Sequence, residues 1–387
     1  MTTLTDAPAL IDAARVLAPA VEAARDEGER NRSLAPSLMQ QILASRILRA
    51  WVPRSLGGHE TDPETFLRVI EEVARMDGAV GWNVMIMGSG GLFAGYLQPE
   101  AARTIYGADD ALVCGAFAPK GRADAADGGF RVSGRWPLAS GCQHAKWLGG
   151  GCIVMDGDKP RMGPNGIPDI TLMLAPADQW NIIDTWHSGG LRGTGSHDIE
   201  IRDAVVPAAH TLSVLNARPH ESGPLYRGDV LDFLSAAVAC VALGIARAAI
   251  DDLEDLAGAK VPAFTTVVLR NRPAVQEKVA EAEATLRSAR AFLFETIGNM
   301  WQTCERGDAP PEEQRAMVRL ASAHAARASA EAVDIAYRLG GSTSVYTSSK
   351  LERCFRDVHT VTQHVGVNFA WYERVGSYFL GLGFKLA

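Results

Sequence analysis

The sequence lacks the residue spacings that build a metal site or a disulfide framework. Its six cysteines are scattered along 387 residues without a CxxC pair or a neighbouring histidine pattern. Zinc sites and disulfide-rich folds both need such spacings, so we interpret the cysteines as reduced thiols. The sequence therefore predicts no bound metal.

An excess of positive charge and long apolar runs are missing as well. The formal net charge is -7, which disfavours nucleic acid and anionic membrane surfaces as partners. Apolar runs stay shorter than the roughly 18 residues that a membrane span needs. The N-terminus contains Asp6 and Asp12 and no basic-then-apolar signal sequence. Together these absences predict a cytoplasmic protein.

What is present is the composition of a globular protein. Hydrophobic residues make up 47% of the chain and charged residues 21%, as is typical of soluble globular proteins. A chain of this length is too long for one ordinary hydrophobic core and suits two or three domains.

The hydrophobic pattern changes character twice along the chain. Helical spacing runs through residues 1–108, where the apolar, glycine-rich stretch from Asp77 to Leu97 predicts a buried helix packed closely against another element. Alternating and short apolar segments over residues 109–215 predict a compact antiparallel β domain. Residues 228–387 predict a four-helix bundle, with helices at Val230–Leu256, Pro273–Arg306, Pro311–Gly340 and Leu351 to roughly Leu382. The fold class is therefore mainly α with a central β domain.

The last predicted helix carries a polar stripe. Asp357, Val361, His364 and Asn368 are spaced so that one helix would align them on one face. A histidine and an asparagine would then point where core residues normally lie. A buried histidine that is satisfied by a backbone carbonyl explains this pattern as well as a functional histidine does. Both interpretations stay open at this point.

Three segments, in order, resemble one superfamily. GRWPLASGCQHAKW from Gly134 to Trp147, LRGTGSHDIEIRDAVVP from Leu191 to Pro207, and RLGGSTSVYTSSKLERCFRDVHTVTQH near the C-terminus resemble the flavin-facing strands, the turn-and-strand segment and the last helices of the acyl-CoA dehydrogenases. The resemblance covers nearly the whole chain. It implies an α-helical domain, a β-barrel domain and a four-helix bundle in that order.

The chain departs from the dehydrogenases at the catalytic position. Where they commonly carry a glutamate before a Gly-Thr pair, this sequence has Val365 followed by Gly366 and Val367. A valine cannot abstract a proton. The preceding residue, His364, resembles instead the histidine of the reduced-flavin-dependent two-component monooxygenases of the superfamily, which this chain also resembles at Trp82 and its neighbouring glycine.

That resemblance implies a function and a set of partners. The chain would be the oxygenase component of a two-component system, in which a separate reductase supplies reduced flavin. The flavin reacts with O2 to form a C4a-hydroperoxyflavin, which hydroxylates an aromatic or heteroaromatic small molecule. Such an intermediate survives only where water is excluded and hydrogen bonds hold the reacting atoms.

The resemblance also assigns residues to roles. Ser140 would bond the N5 side of the flavin and His364 the peroxide side, and these two are the expected catalytic residues. An ordinary strand-end hydroxyl is the alternative for Ser140, and a core position is the alternative for Trp82 and Trp136. The expected flavin contacts are Trp82, Trp136, Ser140, Trp186, Thr194 and Ser196.

The flavin phosphate site is expected to be simple. Dehydrogenases grip the FAD pyrophosphate with an arginine before a Phe-Gly pair, whereas KVPAFTTVVLRNRP has Phe264 without that arginine or glycine. This difference favours FMN, with FAD as the alternative. Arg270 or Arg272 would bind the single phosphate, unless each is a solvated arginine at a loop end.

The substrate pocket is expected to hold a bulky, uncharged ring. Phenol hydroxylases of the resembled subgroup tend to carry a histidine where this chain has Gly90. We expect the glycine to enlarge the pocket, with Val361 and Asn368 as further lining residues, and favour an indole, a polycyclic phenol or a thioether.

Two other classes of protein stay open, together with the question of assembly. An acyl-CoA dehydrogenase or related flavin oxidase would need its base on another helix, for example at Glu254. A non-catalytic helical scaffold is the second alternative. Alanine-rich helix faces, AEAEATLRSARA and ASAHAARASAEA, allow close helix approach, and the resemblance implies that they build a homotetramer.

Overall fold

Helices dominate the two ends of the chain. The computed structural model describes residues 7–163, 166–213 and 216–384, so the domain limits predicted at residues 1, 215 and 387 lie outside the described residues. The helices are α1 Ala7–Arg15, α2 Ala18–Asn31, α3 Pro36–Ala44, α4 Pro63–Met76, α5 Gly78–Gly90, α6 Pro99–Tyr106, α7 Val230–Ala259, α8 Pro273–Glu305, α9 Glu312–Gly340, α10 Lys350–Val361 and α11 Ala370–Phe379.

The middle of the chain folds into an eight-stranded sheet. Its strands are β1 Val113–Ala126, β2 Gly129–Ala139, β3 Trp147–Asp156, β4 Lys159–Pro160, β5 Ile170–Pro176, β6 Asn181–Ile183, β7 His197–Pro207 and β8 Thr211–Ser213. The order is β6-β7-β2-β1-β3-β5-β8, with β4 paired to β3. The sheet ends in the edge strands β6 and β8 and is not closed, so the predicted barrel is not confirmed.

One strand pair departs from the predicted antiparallel arrangement. β1 and β3 pair in parallel, because the chain leaves the β1–β2 hairpin and crosses to the other edge of β1. The remaining described pairs are antiparallel. The crossing segment begins at Ser140, directly after the end of β2.

The helix α7 lies at the centre of the helical part. It packs on α4, α5, α9 and α10, and residues such as Phe233, Val241 and Leu253 are fully enclosed. By length and composition it could cross a membrane, yet 83% of its most apolar window is buried inside the protein. Burial against neighbouring helices explains its all-round apolar character.

The close packing predicted for the glycine-rich helix is confirmed. Asp77 is the N-cap residue of α5, and its carboxylate accepts hydrogen bonds from the N–H groups of Ala79 and Val80. A Cβ at Gly81 would lie 2.5 Å from Cα of Ala74 in α4. Only a glycine allows the two backbones to approach this closely.

The long C-terminal helix predicted from Leu351 to about Leu382 is wrong. α10 ends at Val361, and α11 begins at Ala370. In the intervening loop, the carboxamide oxygen of Asn368 accepts a hydrogen bond from the N–H of Ala370. The polar stripe is therefore split, because His364 and Asn368 lie in the loop and not on the helix.

The crossing of α7 over α4 gives a stability prediction. A Cβ at Gly244 would lie 2.4 Å from the carbonyl oxygen of Glu71 and 2.7 Å from Cβ of Ala74. Since backbone atoms cannot move aside cheaply, we expect Gly244→Ala to lower the free energy of unfolding by about 1–3 kcal/mol. Urea denaturation measures this value.

Gly298 in α8 is the matched control. Nothing lies within 4 Å of a Cβ at this position, so Gly298→Ala should raise the free energy of unfolding by about 0.5–1 kcal/mol through helix propensity alone. Effects of the same sign in both variants would contradict the packing argument.

Candidate active site

A row of hydrogen-bonded side chains joins the sheet to α5. The indole N–H of Trp82 donates to Oγ of Ser140 (2.9 Å), which lies 2.7 Å from Oγ of Ser196. Oγ of Ser196 lies 2.6 Å from Oγ1 of Thr194, and this hydroxyl donates to the carbonyl of Leu191 (2.8 Å). We call Ser140, Ser196 and Thr194 the hydroxyl chain. All three side chains are buried.

Irregular backbone brings the hydroxyl chain together. The pairing of β2 with β7 shifts register between Trp136 and Ala139, and Leu138 in this bulge has a φ of 64°. Gly141 and Gly195 have φ values of 72° and 53°, which glycine adopts without steric cost. The bulge and the two glycine turns aim the ends of β2 and β7 at each other.

Trp186 lies on the other side of the same turn. Its indole N–H donates to the carbonyl of Leu191 (3.1 Å), which also accepts from Thr194. The N–H of Leu191 donates to Oδ1 of Asp357 (2.5 Å). Both backbone polar groups of Leu191 thus have hydrogen-bond partners, and α10 is tied to the turn.

Asp357 is a buried carboxyl with an unusual ionisation. Burial, together with the nearby negative charge of Asp77, raises its pKa to about 7 against the lowering by the N–H of Leu191 and by Arg356. Its other oxygen lies 2.9 Å from the position of a Cβ at Gly78. The carboxyl therefore fills the space between α5, α10 and the Leu191 turn.

His364 lies at the opposite edge of Trp82. Its ring centroid is 5.5 Å from that of Trp82, edge to face at 75°. The N–H of Gly366 donates to Nδ1 of the imidazole (3.1 Å), and burial lowers the pKa of His364 to about 4. A neutral imidazole that accepts at Nδ1 carries its proton at Nε2. His364 thus presents an N–H donor that has no hydrogen-bond partner in the part of the chain that the structure describes.

The loop that carries His364 is fixed by Trp371 of α11. The indole N–H of Trp371 donates to the carbonyl of Val365 (2.7 Å). The guanidinium groups of Arg319 and Arg374 lie 4.5 and 4.9 Å from the ring of Trp371, and Arg319 donates to the fully buried Asp232 (2.6 Å). This series of contacts ties the His364 loop to α7 and α9.

The structure corrects the flavin role predicted for Trp136. Its side chain is fully enclosed, its N–H donates to the carbonyl of Gly151 (2.7 Å), and its ring packs edge-on against Trp180 (5.4 Å). The bulge at Leu138 turns Trp136 away from Ser140. Trp136 is therefore a core residue of the sheet.

Two of the predicted pocket residues are also corrected. A Cβ at Gly90 would lie 2.8 Å from the carbonyl oxygen of Val113, so this glycine permits close packing of α5 on β1 and does not enlarge a pocket. Val361 is fully enclosed in the hydrophobic core. Asn368 is partly exposed in the His364 loop, and its role in substrate binding stays a prediction.

Arg270 and Glu254 lie away from the hydroxyl chain. Arg270 belongs to a short turn after α7, with its Nη1 3.8 Å from the position of a Cβ at Gly258. Arg272 directly precedes α8. Glu254 is half-exposed and lies 3.9 Å from Arg247. Within the described residues no hydrogen bond or ion pair links these side chains to His364.

Two polar residues at the site were not predicted from the sequence. Asn83 is fully buried in α5 and donates to the carbonyl of Gly193 (3.1 Å), while its Oδ1 has no partner among the described residues. Ser235 is buried in α7 with an unpaired Oγ among those same residues, and its Cα lies 3.5 Å from the position of a Cβ at Gly366. A polar residue inside an otherwise apolar helix was the signal for both.

Relatives cover most of the chain. Residues 236–369 match the family model described as acyl-CoA dehydrogenase, C-terminal domain. The chain is 36% identical over 359 residues to an indole-3-acetate monooxygenase of Pseudomonas putida, with 92% of this chain and 89% of that protein covered. It is 26% identical over 358 residues to the flavin-dependent monooxygenase oxygenase subunit HsaA of Rhodococcus jostii, with 90% and 92% covered.

Solved structures share the whole fold. XiaF from Streptomyces, in complex with FADH2 and glycerol, superposes with a TM-score of 0.92 at 25% identity, covering 98% of this chain and 97% of that one. FMN-bound TdsC from Paenibacillus superposes with a TM-score of 0.81 at 22% identity, covering 97% and 98%. The second likeness concerns the fold alone.

The raised pKa of Asp357 gives a pH prediction. The folded pKa of about 7 exceeds the ordinary value of 3.8, so the folded state holds a proton that the unfolded state releases. The contribution of this group to stability is therefore lost as the pH rises from about 4 to about 7. Asp357→Asn keeps an oxygen for the N–H of Leu191 and cannot ionise.

Thermal or urea unfolding across this pH range tests the assignment. The free energy of unfolding of Asp357→Asn, minus that of the wild type, should increase with pH by a few kcal/mol, about 1.4 kcal/mol for each unit of pKa shift. A difference that stays constant with pH would show that Asp357 ionises normally.

Proposed function

This chain belongs to the flavin-dependent two-component monooxygenases of acyl-CoA dehydrogenase-like fold, and from this membership we propose that it is an oxygenase component. It uses reduced flavin and O2 to hydroxylate an aromatic or heteroaromatic small molecule. The observation that carries the proposal is the neutral His364, whose Nε2–H faces no partner among the described residues.

The residue at the position of the dehydrogenase base favours an oxygenase over a dehydrogenase. Proton abstraction needs a carboxylate or another base within hydrogen-bond reach. Val365 supplies none, and Glu254 lies beside Arg247 on the far half of α7. A neutral imidazole donor is suited instead to hold an oxygen atom that carries negative charge.

The side chains at the site fit a flavin. A flavin ring offers N–H groups and carbonyl oxygens along its edges, and Oγ of Ser140 can accept a hydrogen bond from one of these N–H groups. The Nε2–H of His364 has no partner in the described part of the chain, so an oxygen atom of a bound group would satisfy it. When bound, the flavin supplies the electrons that reduce O2.

Each residue of the site then has a separate task. Ser140 binds the N5 edge of the ring, with Thr194 and Ser196 behind it. Trp82 and Trp186 place large apolar surfaces beside the ring and exclude water. His364 donates from Nε2 to the reacting oxygen.

The substrate proposed is a heteroaromatic ring of the indole type. The relative with 36% identity is named an indole-3-acetate monooxygenase. The preference for an uncharged compound remains a prediction. Comparing the turnover of indole with that of indole-3-acetate distinguishes an uncharged substrate from one that carries a carboxylate. Asn368, which is partly exposed in the loop that carries His364, is the proposed contact to the substrate.

The reduced flavin comes from a separate reductase. XiaF holds FADH2 and TdsC has been solved with FMN. We favour FMN for this chain because Phe264 lacks the neighbouring arginine that grips a pyrophosphate. Arg270, next to Lys260 and the end of α7, is the proposed phosphate contact, and it would reach the flavin of a neighbouring subunit or its own.

The assembly proposed is a homotetramer built on the helices α7 to α10 as a four-helix bundle. Most alanines that suggested this assembly are used inside one chain. Ala282 and Ala289 of α8, and Ala321, Ala325 and Ala328 of α9, are buried within the chain, so they do not carry the argument. The sequence resemblance supports the tetramer, and the protein is expected to stay in the cytoplasm.

Sizing chromatography with light scattering tests this assembly. A tetramer of 41.4 kDa chains should elute at four times the chain mass at micromolar concentration. A monomer under those conditions would remove the tetramer from the proposal.

His364→Ala gives the direct test of the function. Loss of one positioned donor should lower hydroxylated product by roughly 10²-fold or more, while flavin oxidation continues and releases hydrogen peroxide. The stability cost should be small, because one hydrogen bond contributes only about 0.5–1.5 kcal/mol. Product and peroxide formed for each reduced flavin are measured together.

Gln363→Ala is the matched control from the same loop. Its side chain is exposed and donates a hydrogen bond to the neighbouring Thr362, so coupling of flavin oxidation to product should stay at the wild-type level. A His364→Ala enzyme with wild-type coupling, or one that loses only melting temperature, would contradict the assignment.

A further inference from the structure

We propose that Thr194 and Ser196 are positioning residues that make Ser140 a hydrogen-bond acceptor toward the flavin. Ser140 would then accept from the N5–H group of reduced flavin and would have no hydrogen to offer to N5 of oxidised flavin. The inference rests on the proposed function, because it requires the N5 edge to reach Ser140. It assigns the choice of the flavin redox state to the hydroxyl chain.

A count of hydrogens fixes the direction of the chain. Leu191 contributes a carbonyl oxygen, which cannot donate, so the hydrogen between it and Thr194 belongs to Thr194. The contact of 2.6 Å between Thr194 and Ser196 must then use the hydrogen of Ser196. The contact of 2.7 Å between Ser196 and Ser140 uses the hydrogen of Ser140 in the same way. Each hydroxyl has one hydrogen, and all three are spent.

Trp82, the other hydrogen-bond partner of Ser140, is consistent with this direction of the hydrogen bonds. Trp82 has only a donor, and its N–H points to Oγ of Ser140 at 2.9 Å. A hydroxyl oxygen accepts two hydrogen bonds. One lone pair of Ser140 is therefore left, and it can receive an N–H group but cannot serve an acceptor.

The two redox states of a flavin differ at this atom. Reduced flavin carries a hydrogen on N5, whereas N5 of oxidised flavin offers only a lone pair. The reduced ring pairs with the chain as it is arranged in the structure. The oxidised ring would face lone pair against lone pair unless Ser140 turned its hydrogen outward.

Reversing the direction of the hydrogen bonds in the hydroxyl chain has a definite cost. If Ser140 donates outward, Ser196 must donate to Ser140 and Thr194 to Ser196, so the bond from Thr194 to the carbonyl of Leu191 is lost. That carbonyl keeps its bond from Trp186. Because Ser140, Thr194 and Ser196 are only 4%, 2% and 4% exposed, no bulk water replaces the lost bond. The cost is thus about one hydrogen bond.

The test compares binding of oxidised and reduced FMN to the wild type and to Thr194→Val. Valine matches the shape of threonine and removes the hydroxyl, so one hydrogen in the chain becomes free and Ser140 can donate outward. Affinity for oxidised FMN should improve by about three- to tenfold, the range of one hydrogen bond, while affinity for reduced FMN changes little. Titration under anaerobic conditions gives both dissociation constants without turnover.

Three further variants separate positioning from structure. Thr194→Ser restores the hydroxyl and should restore the wild-type ratio of the two dissociation constants. Ser196→Ala breaks the hydroxyl chain one step nearer to Ser140. Like Thr194→Val, it should lower the dissociation constant for oxidised FMN relative to that for reduced FMN. Thr296→Val removes another buried hydroxyl, which bonds within α8, and should leave the ratio unchanged while melting temperature reports its folding.

The outcomes divide between the inference and the proposed function. A wild type that binds reduced FMN more tightly than oxidised FMN, with folded Thr194→Val and Ser196→Ala variants that keep the same ratio, overturns the inference alone. Equal affinity of the wild type for both redox states overturns it too. A wild type that binds neither FMN nor FAD in either state overturns the proposed function together with the inference.

Discussion

The backbone of Leu191 is the point on which the geometry of the candidate site depends. Its φ of 50° is a conformation that side-chain-bearing residues adopt at a cost of the order of 1 kcal/mol or more. The N–H is held by Asp357 of α10, and the carbonyl by Thr194 and Trp186. The turn is therefore positioned by helical and sheet residues together. If either part moved, the hydroxyl chain would lose the acceptor that ends it.

The residue types at the site could be predicted from the sequence, but not all of their positions. Ser140, Thr194 and His364 come together with Trp82 because each follows or lies on a segment with a recognisable local pattern. Trp136 was misplaced for a physical reason. Residues four apart face the same side of a regular strand, yet the bulge at Leu138 adds a turn between Trp136 and Ser140. Pro137, next to Leu138, was the local signal for this bulge, because a proline inside a paired strand is typical of a bulge.

The fold was predictable at the level of helical and β regions and less so at their ends. Apolar spacing continues through residues 362–369, which is why one helix was predicted from Leu351 to about Leu382. After the break at Val361, the indole N–H of Trp371 donates to the carbonyl of Val365, and the guanidinium of Arg319, from a distant part of the chain, packs on the Trp371 ring. The contact with Arg319 is a long-range contact that the local pattern does not reveal. The closed barrel and the purely antiparallel sheet failed for the same reason, since strand pairing is a long-range property.

The hydrogens of His364 and Ser140, at the two edges of the candidate site, are positioned in different ways. At His364 the hydrogen is placed by the residue's own loop, because the N–H of Gly366 occupies Nδ1 and burial keeps the ring neutral. A protonated ring would need Nδ1 as a donor and would oppose that N–H, so the geometry of the loop and the lowered pKa support each other. At Ser140 the hydrogen is placed by Ser196 and Thr194, which follow it in the hydroxyl chain. Trp82 separates the two edges, contacting His364 with its ring and Ser140 with its N–H. A donor on one edge and an acceptor on the other are thus built from neutral groups, and a buried site gains this asymmetry without the desolvation cost of a charge.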